Sequence, residues 1–126
     1  MKAESNKPRK VLIVDDEESI CRVCKLALEV EGFETACATT CTEALATMER
    51  FQADLLLLDI KFPDGSGLDF LPTFKKLYPA VPVIILTGLG YEEPLLQSAL
   101  KNGAQGFVTK GVLVENMVSA VHNILH

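Results

Sequence analysis

A chain of 126 residues, 48% hydrophobic and only 6% aromatic, makes one domain that buries roughly two-thirds of its unfolded surface without cross-links. A net charge of −5, from 12 basic and 17 acidic residues, argues against a nucleic-acid surface. No run approaches the roughly 18 apolar residues of a membrane helix. Residues 1–8 hold basic side chains without an apolar segment, so they read as a flexible leader to a cytoplasmic domain at 9–126, not as a secretory signal.

The apolar run from Lys10 to Val14 reads as strand one and ends in Asp15, Asp16, Glu17 and Glu18. Ile20, Cys24, Ala27 and Leu28 carry helical spacing across 16–31, and Gly32 stops it. Cys21 and Cys24 share a face of that helix; with no histidine near them they read as small packed hydrophobes, not as a metal or redox pair. The four cysteines suit a reduced compartment. Residues 33–38 form a short strand, and Thr40 or Cys41 opens a helix that runs through Ala44, Leu45 and Met48 to Phe51.

From Asp54 to Asp59 four leucines stand between two carboxylates. They predict a central parallel strand buried on both faces, with Asp59 at the carboxyl end, where open α/β sheets bind ligands. Pro63, Asp64 and Gly65 mark the loop that follows. A third helix spans 67–78, and Pro72 inside it is expected to shift its start or kink its first turns. Strand four covers 81–86 and ends at Thr87 and Gly88. A fourth helix follows over 93–102, with Pro94 in its first turn and Gly103 as its stop. Strand five covers 105–109 and ends at Lys110, and a fifth helix covers 114–125. Five strands alternating with five helices predict a parallel sheet with helices on both faces, wound by right-handed crossovers.

Parallel strands share a direction, so their carboxyl ends share an edge. Strand one brings Asp15 and Asp16 there, strand three Asp59, strand four Thr87 and strand five Lys110. Each has an ordinary reading alone: a helix cap, a solvated strand end, a turn, a lysine in water. Together they resist it. Three carboxylates within a few ångströms repel by several kcal/mol at an effective dielectric of about 20, and one divalent cation with Lys110 balances them. An all-oxygen set suits Mg²⁺ or Mn²⁺, not zinc. Asp59 is ionised at neutral pH and is a nucleophile without a general base. Its natural electrophile beside such a metal is a phosphoryl group, whose oxygens the Lys110 ammonium and Thr87 hydroxyl would meet. The residues predict an aspartyl phosphate.

With these residues in place, the chain from about Arg9 to Leu125 resembles the receiver domain of two-component response regulators. The resemblance rests on Asp15-Asp16, Asp59 with Pro63-Asp64-Gly65, Thr87-Gly88, and Phe107 with Lys110. It implies an α/β, flavodoxin-like (βα)5 doubly wound sheet of strand order 2-1-3-4-5. It also implies phosphoryl transfer to Asp59 from a histidine kinase or histidine phosphotransfer protein. The domain would not be an enzyme but would assist its own phosphorylation and dephosphorylation. Carried onto this chain, Asp16 and Asp59 would ligate Mg²⁺ directly, Asp15 through water, and the Lys61 carbonyl would complete the set. Thr87 and Lys110 would contact the phosphoryl oxygens. Phe107, three residues before the lysine, would turn inward when Thr87 moves toward the phosphoryl group; the competing reading is permanent core packing. Lys61 and Leu89 would tune phosphate lifetime, and a homodimer through the fourth and fifth helices follows by the same analogy. One departure is Gly111 after Lys110, where the family usually has proline.

Three other classes compete. A Mg²⁺-dependent phosphatase with an aspartate nucleophile wants a second Asp two residues on, where Lys61 stands, and an inserted cap. A flavin or dinucleotide binder wants a glycine-rich loop where Asp15 to Glu18 follow strand one. A receiver-like module that docks without phosphorylation is the third, and the Gly111 departure keeps it open.

Overall fold

The computed structural model describes residues 8–62, 65–88, 93–110 and 113–125. Pro63, Asp64, Leu89, Gly111 and residues 1–7 of the expected leader lie outside the described residues.

The elements are β1 (Lys10–Val14), α1 (Glu18–Val30), β2 (Glu34–Ala38), α2 (Cys41–Phe51), β3 (Leu55–Asp59), β4 (Lys61–Phe62), β5 (Gly65–Ser66), α3 (Gly67–Leu77), β6 (Val83–Thr87), α4 (Glu93–Lys101), β7 (Gly106–Thr109) and α5 (Leu113–Leu125). Five of the strands pair in parallel in the order β2-β1-β3-β6-β7. Leaving out the small antiparallel hairpin β4–β5, that is the expected 2-1-3-4-5. The hairpin is an addition, because the sequence reads simply as a loop there.

The central strand shows why the order works. Leu56 and Leu58 point into one apolar cluster with Leu12, Val14, Met48, Leu71 and Phe74; Leu55 and Leu57 point into another with Val11, Ile13, Leu28, Met117 and Val121. All four leucines are fully buried. Each contributes roughly 2 kcal/mol of burial relative to exposure, and only a strand covered on both faces uses every one. Helices α2 and α3 pack against the first cluster, α1 and α5 against the second.

Helix ends follow local chemistry. Thr40 caps α2 by accepting from Glu43 N, and Ser66 caps α3 by accepting from Leu68 N. The Ser66 cap explains why Pro72 does not move the start of α3: the helix begins at Gly67 and runs through the proline. Gly32 ends α1 at a φ of 95°, whereas Gln52 ends α2 in the left-handed region at 53°, with no glycine to announce it. Cys21 and Cys24 are buried on the sheet side of α1, as packing residues would be, and burial pushes the Cys24 thiol up to about 12.

Candidate functional site

Register places the site. Val14 pairs with Leu58, Asp59 with Leu86, and Thr87 with Thr109. The strands therefore stop nearly level, and Asp15, Asp59, Thr87 and Lys110 stand along one rim. Two glycines shape it. A Cβ on Gly67 would collide with the Asp59 carbonyl oxygen, so only glycine lets α3 close onto the end of β3, where Gly67 N donates to Ile60 O at 2.5 Å. Gly88 lies against the Lys110 stem, its would-be Cβ 3.5 Å from Lys110 Cδ.

Lys110 is the hub. Its Nζ lies 2.8 Å from Asp15 Oδ2, 2.8 Å from Glu17 Oε1 and 3.4 Å from Asp59 Oδ2. The bond to Glu17 is a directed hydrogen bond. The Lys110 ammonium also pairs with the fully buried Oδ2 of Asp15. Asp15 Oδ1 accepts from Glu17 N at 2.9 Å, and Asp59 Oδ1 from Ile60 N at 2.7 Å.

The electrostatics follow from burial against partners. Burial raises the Asp15 carboxyl above its usual range, opposed by Lys110 and the Glu17 N–H. Burial, then the Asp15 charge, pushes Asp59 up to about 6, opposed by the Ile60 N–H and Lys110. Burial disfavours the Lys110 ammonium, but its contacts to Asp15 and Glu17 and the charges of Asp15 and Asp59 outweigh that and hold its pKa above the ordinary value.

Oxygens of Asp15, Glu17 and Asp59 lie within 4.8 Å of one another. Among the described residues the Lys110 ammonium stands against them, which leaves an excess negative charge that a divalent cation would neutralise. The donor set is all oxygen, with Asp15 and Asp59 its buried members and the Glu17 carboxylate engaged by Lys110, so the residues fit a hard cation.

Of the residues expected from sequence, Asp15, Asp59 and Lys110 meet as anticipated, and Thr87 is buried at the same rim. Asp16, expected beside Asp59, is exposed and is not one of the three grouped acids; Glu17 is. The legible signal was the Asx turn, in which an aspartate bonds the N–H two residues on and so turns residue 17 toward the rim. Lys61 opens β4, two residues past Asp59. Phe107 on β7 is 45% exposed, which excludes permanent core packing.

A family profile for the response regulator receiver domain matches residues 11–122. Among curated proteins, the probable transcriptional regulatory protein TcrX of Mycobacterium tuberculosis is 32% identical over 125 residues, 99% of this chain and 53% of its own. The response regulator protein PilR of Pseudomonas aeruginosa is 38% identical over 104 residues, 82% of this chain and 23% of its own. The chain thus spans about half or less of these relatives. Among solved structures, a CheY-like response regulator receiver domain protein from Methanospirillum hungatei superposes with a TM-score of 0.88 at 33% identity, covering 94% of each chain.

Proposed function

The chain belongs to the receiver domains of two-component response regulators, and from that premise we propose that Asp59 is the residue that accepts the phosphoryl group. The observation that carries this reading is the Lys110 ammonium lodged between Asp15 and Asp59 at a buried rim with carboxylates in excess. An Asp59 oxygen attacks phosphorus as the bond from phosphorus to the donor imidazole nitrogen breaks, and the phosphoryl group leaves with Asp59. Lys110 lies close enough to neutralise the oxygens of the transferred group, and Thr87 offers a hydroxyl from β6. Asp59 and Asp15, with Asp16 and the Lys61 carbonyl, would hold Mg²⁺, or Mn²⁺. The ion would supply charge neutralisation at the phosphoryl oxygens.

The donor is a histidine kinase or histidine phosphotransfer protein, and the site of action is the cytoplasm; among the described residues no helix is long and apolar enough to cross a membrane. The switch is Thr87 with Phe107: the ring, exposed at rest, would turn inward when the hydroxyl moves. Leu100 on α4 and Val114 on α5, with Phe107 on β7, are exposed apolar residues that suit a homodimer through those helices.

The test is intact mass after incubation with Mg²⁺ and acetyl phosphate. One phosphoryl adduct, absent from Asp59→Asn, supports the reading. Steady turnover of a phosphate monoester would replace it with a phosphatase, and unchanged mass with no response to beryllium fluoride would replace it with a docking module.

A further inference from the structure

Glu17 stands at the N-cap position of α1, yet its side chain accepts no cap hydrogen bond. Its backbone carbonyl serves the helix, taking Ile20 N and Cys21 N. Its carboxylate turns the other way and accepts from Lys110 at 2.8 Å, a direction set by the Asp15 Oδ1 bond to Glu17 N. The ammonium therefore sits nearer Asp15 and Glu17, at 2.8 Å each, than Asp59, at 3.4 Å.

We propose that Glu17 is a positioning residue for Lys110: it holds the ammonium back from Asp59 in the resting domain and so sets how readily Asp59 takes its phosphorylated state. This rests on the reading of Asp59 as the phospho-acceptor. A contact made more strongly at rest than after phosphorylation favours rest by that difference. The Glu17 charge, within 4.8 Å of the Asp15 and Asp59 oxygens, also repels an incoming phosphoryl group. Position and charge thus act in one direction. The size is bounded by exposure: the Glu17 side chain is 57% exposed, so water and salt screen it. Glu17 adjusts the response and does not gate it.

The experiment titrates beryllium fluoride, a phosphoryl mimic, at saturating Mg²⁺ against wild type, Glu17→Gln, Glu17→Asp and Asp59→Asn, read by amide NMR. Glu17→Gln is expected to lower the half-saturating fluoride complex concentration about two- to fivefold, an exposed ion pair's worth, and less at high salt. Glu17→Asp, which keeps the charge and loses the reach, should fall between. The Mg²⁺ midpoint, measured alone, should not move. A weaker Mg²⁺ midpoint in Glu17→Gln with weaker fluoride binding would make Glu17 a metal ligand and overturn the proposal, as would unchanged fluoride binding. A wild type that binds no fluoride complex, like Asp59→Asn, would remove the phospho-acceptor reading and this proposal with it.

Discussion

Lys110, at the end of β7, places its ammonium 2.8 Å from the buried Oδ2 of Asp15 at the end of β1, although β3 and β6 lie between those strands in the sheet. The pair crosses above the end of the central strand, where Asp59 stands, and ties the two sides of the rim together. Its charges are largely withdrawn from water: Asp15 is fully buried and the lysine side chain is 11% exposed.

Breaking a pair of that kind leaves a buried charge without compensation. Lys110→Met is expected to cost about 3 kcal/mol in urea denaturation at pH 8. The cost should shrink toward pH 5, because Asp15 and Asp59, both already raised, can then take up protons.

Asp59 gives the metal-free protein an inverted pH dependence. Its carboxyl sits at about 6 in the folded state against an ordinary 3.8, so the unfolded chain gives up that proton more easily. The stability tied to this group is present below pH 4 and lost as pH rises through 6, amounting to at most about 3 kcal/mol. Thermal melts in EDTA should show Asp59→Asn gaining on wild type from pH 5 to pH 7.5. Equal midpoints across that range would show that Asp59 is not desolvated.

A divalent cation should reverse that penalty. Mg²⁺ at a hundred times its dissociation constant is expected to stabilise wild type by about 3 kcal/mol. Asp59→Asn and Asp15→Asn should each lose most of that gain, and chelation should restore the starting midpoint.

Gly67→Ala probes the joint between β3 and α3. The added methyl would meet the Asp59 carbonyl oxygen, which is backbone and has little room to move. The variant is expected to lose about 1–3 kcal/mol, the usual cost of overpacking, and to phosphorylate more slowly because Asp59 shifts with its backbone.

The chain contains no tryptophan, so Phe107→Trp would install a sole fluorescent reporter. At rest the ring should emit as a partly solvated indole, in keeping with the 45% exposure of Phe107. Mg²⁺ with beryllium fluoride should shift emission to the blue as the ring turns inward, and Thr87→Ala should blunt the shift. No change in wavelength would dissociate Phe107 from the switch.

Much of this is legible in the sequence. Strand β1 ends where the apolar run ends, and α2 begins after Thr40, because runs and caps are local signals. Other features were not local. The hairpin β4–β5 has two-residue strands, too short for any periodicity, and depends on Gly65 at a φ of 150°. Strand β6 begins at Val83, two residues later than the apolar run suggests; here the signal was local, Pro82 having no N–H for the ladder. The left-handed Gln52 carries no glycine to flag it.

Sequence alone determined that Asp15, Asp59, Thr87 and Lys110 stand at the sheet's carboxyl edge, since strand direction and strand ends are written in the apolar pattern. Only the tertiary structure decided how those groups share one lysine: Asp15 and Glu17 close, Asp59 farther, Asp16 turned out to solvent. The reason is physical. A strand end locates a backbone to within a residue, but a side chain's direction answers to charges contributed by segments far apart in the chain.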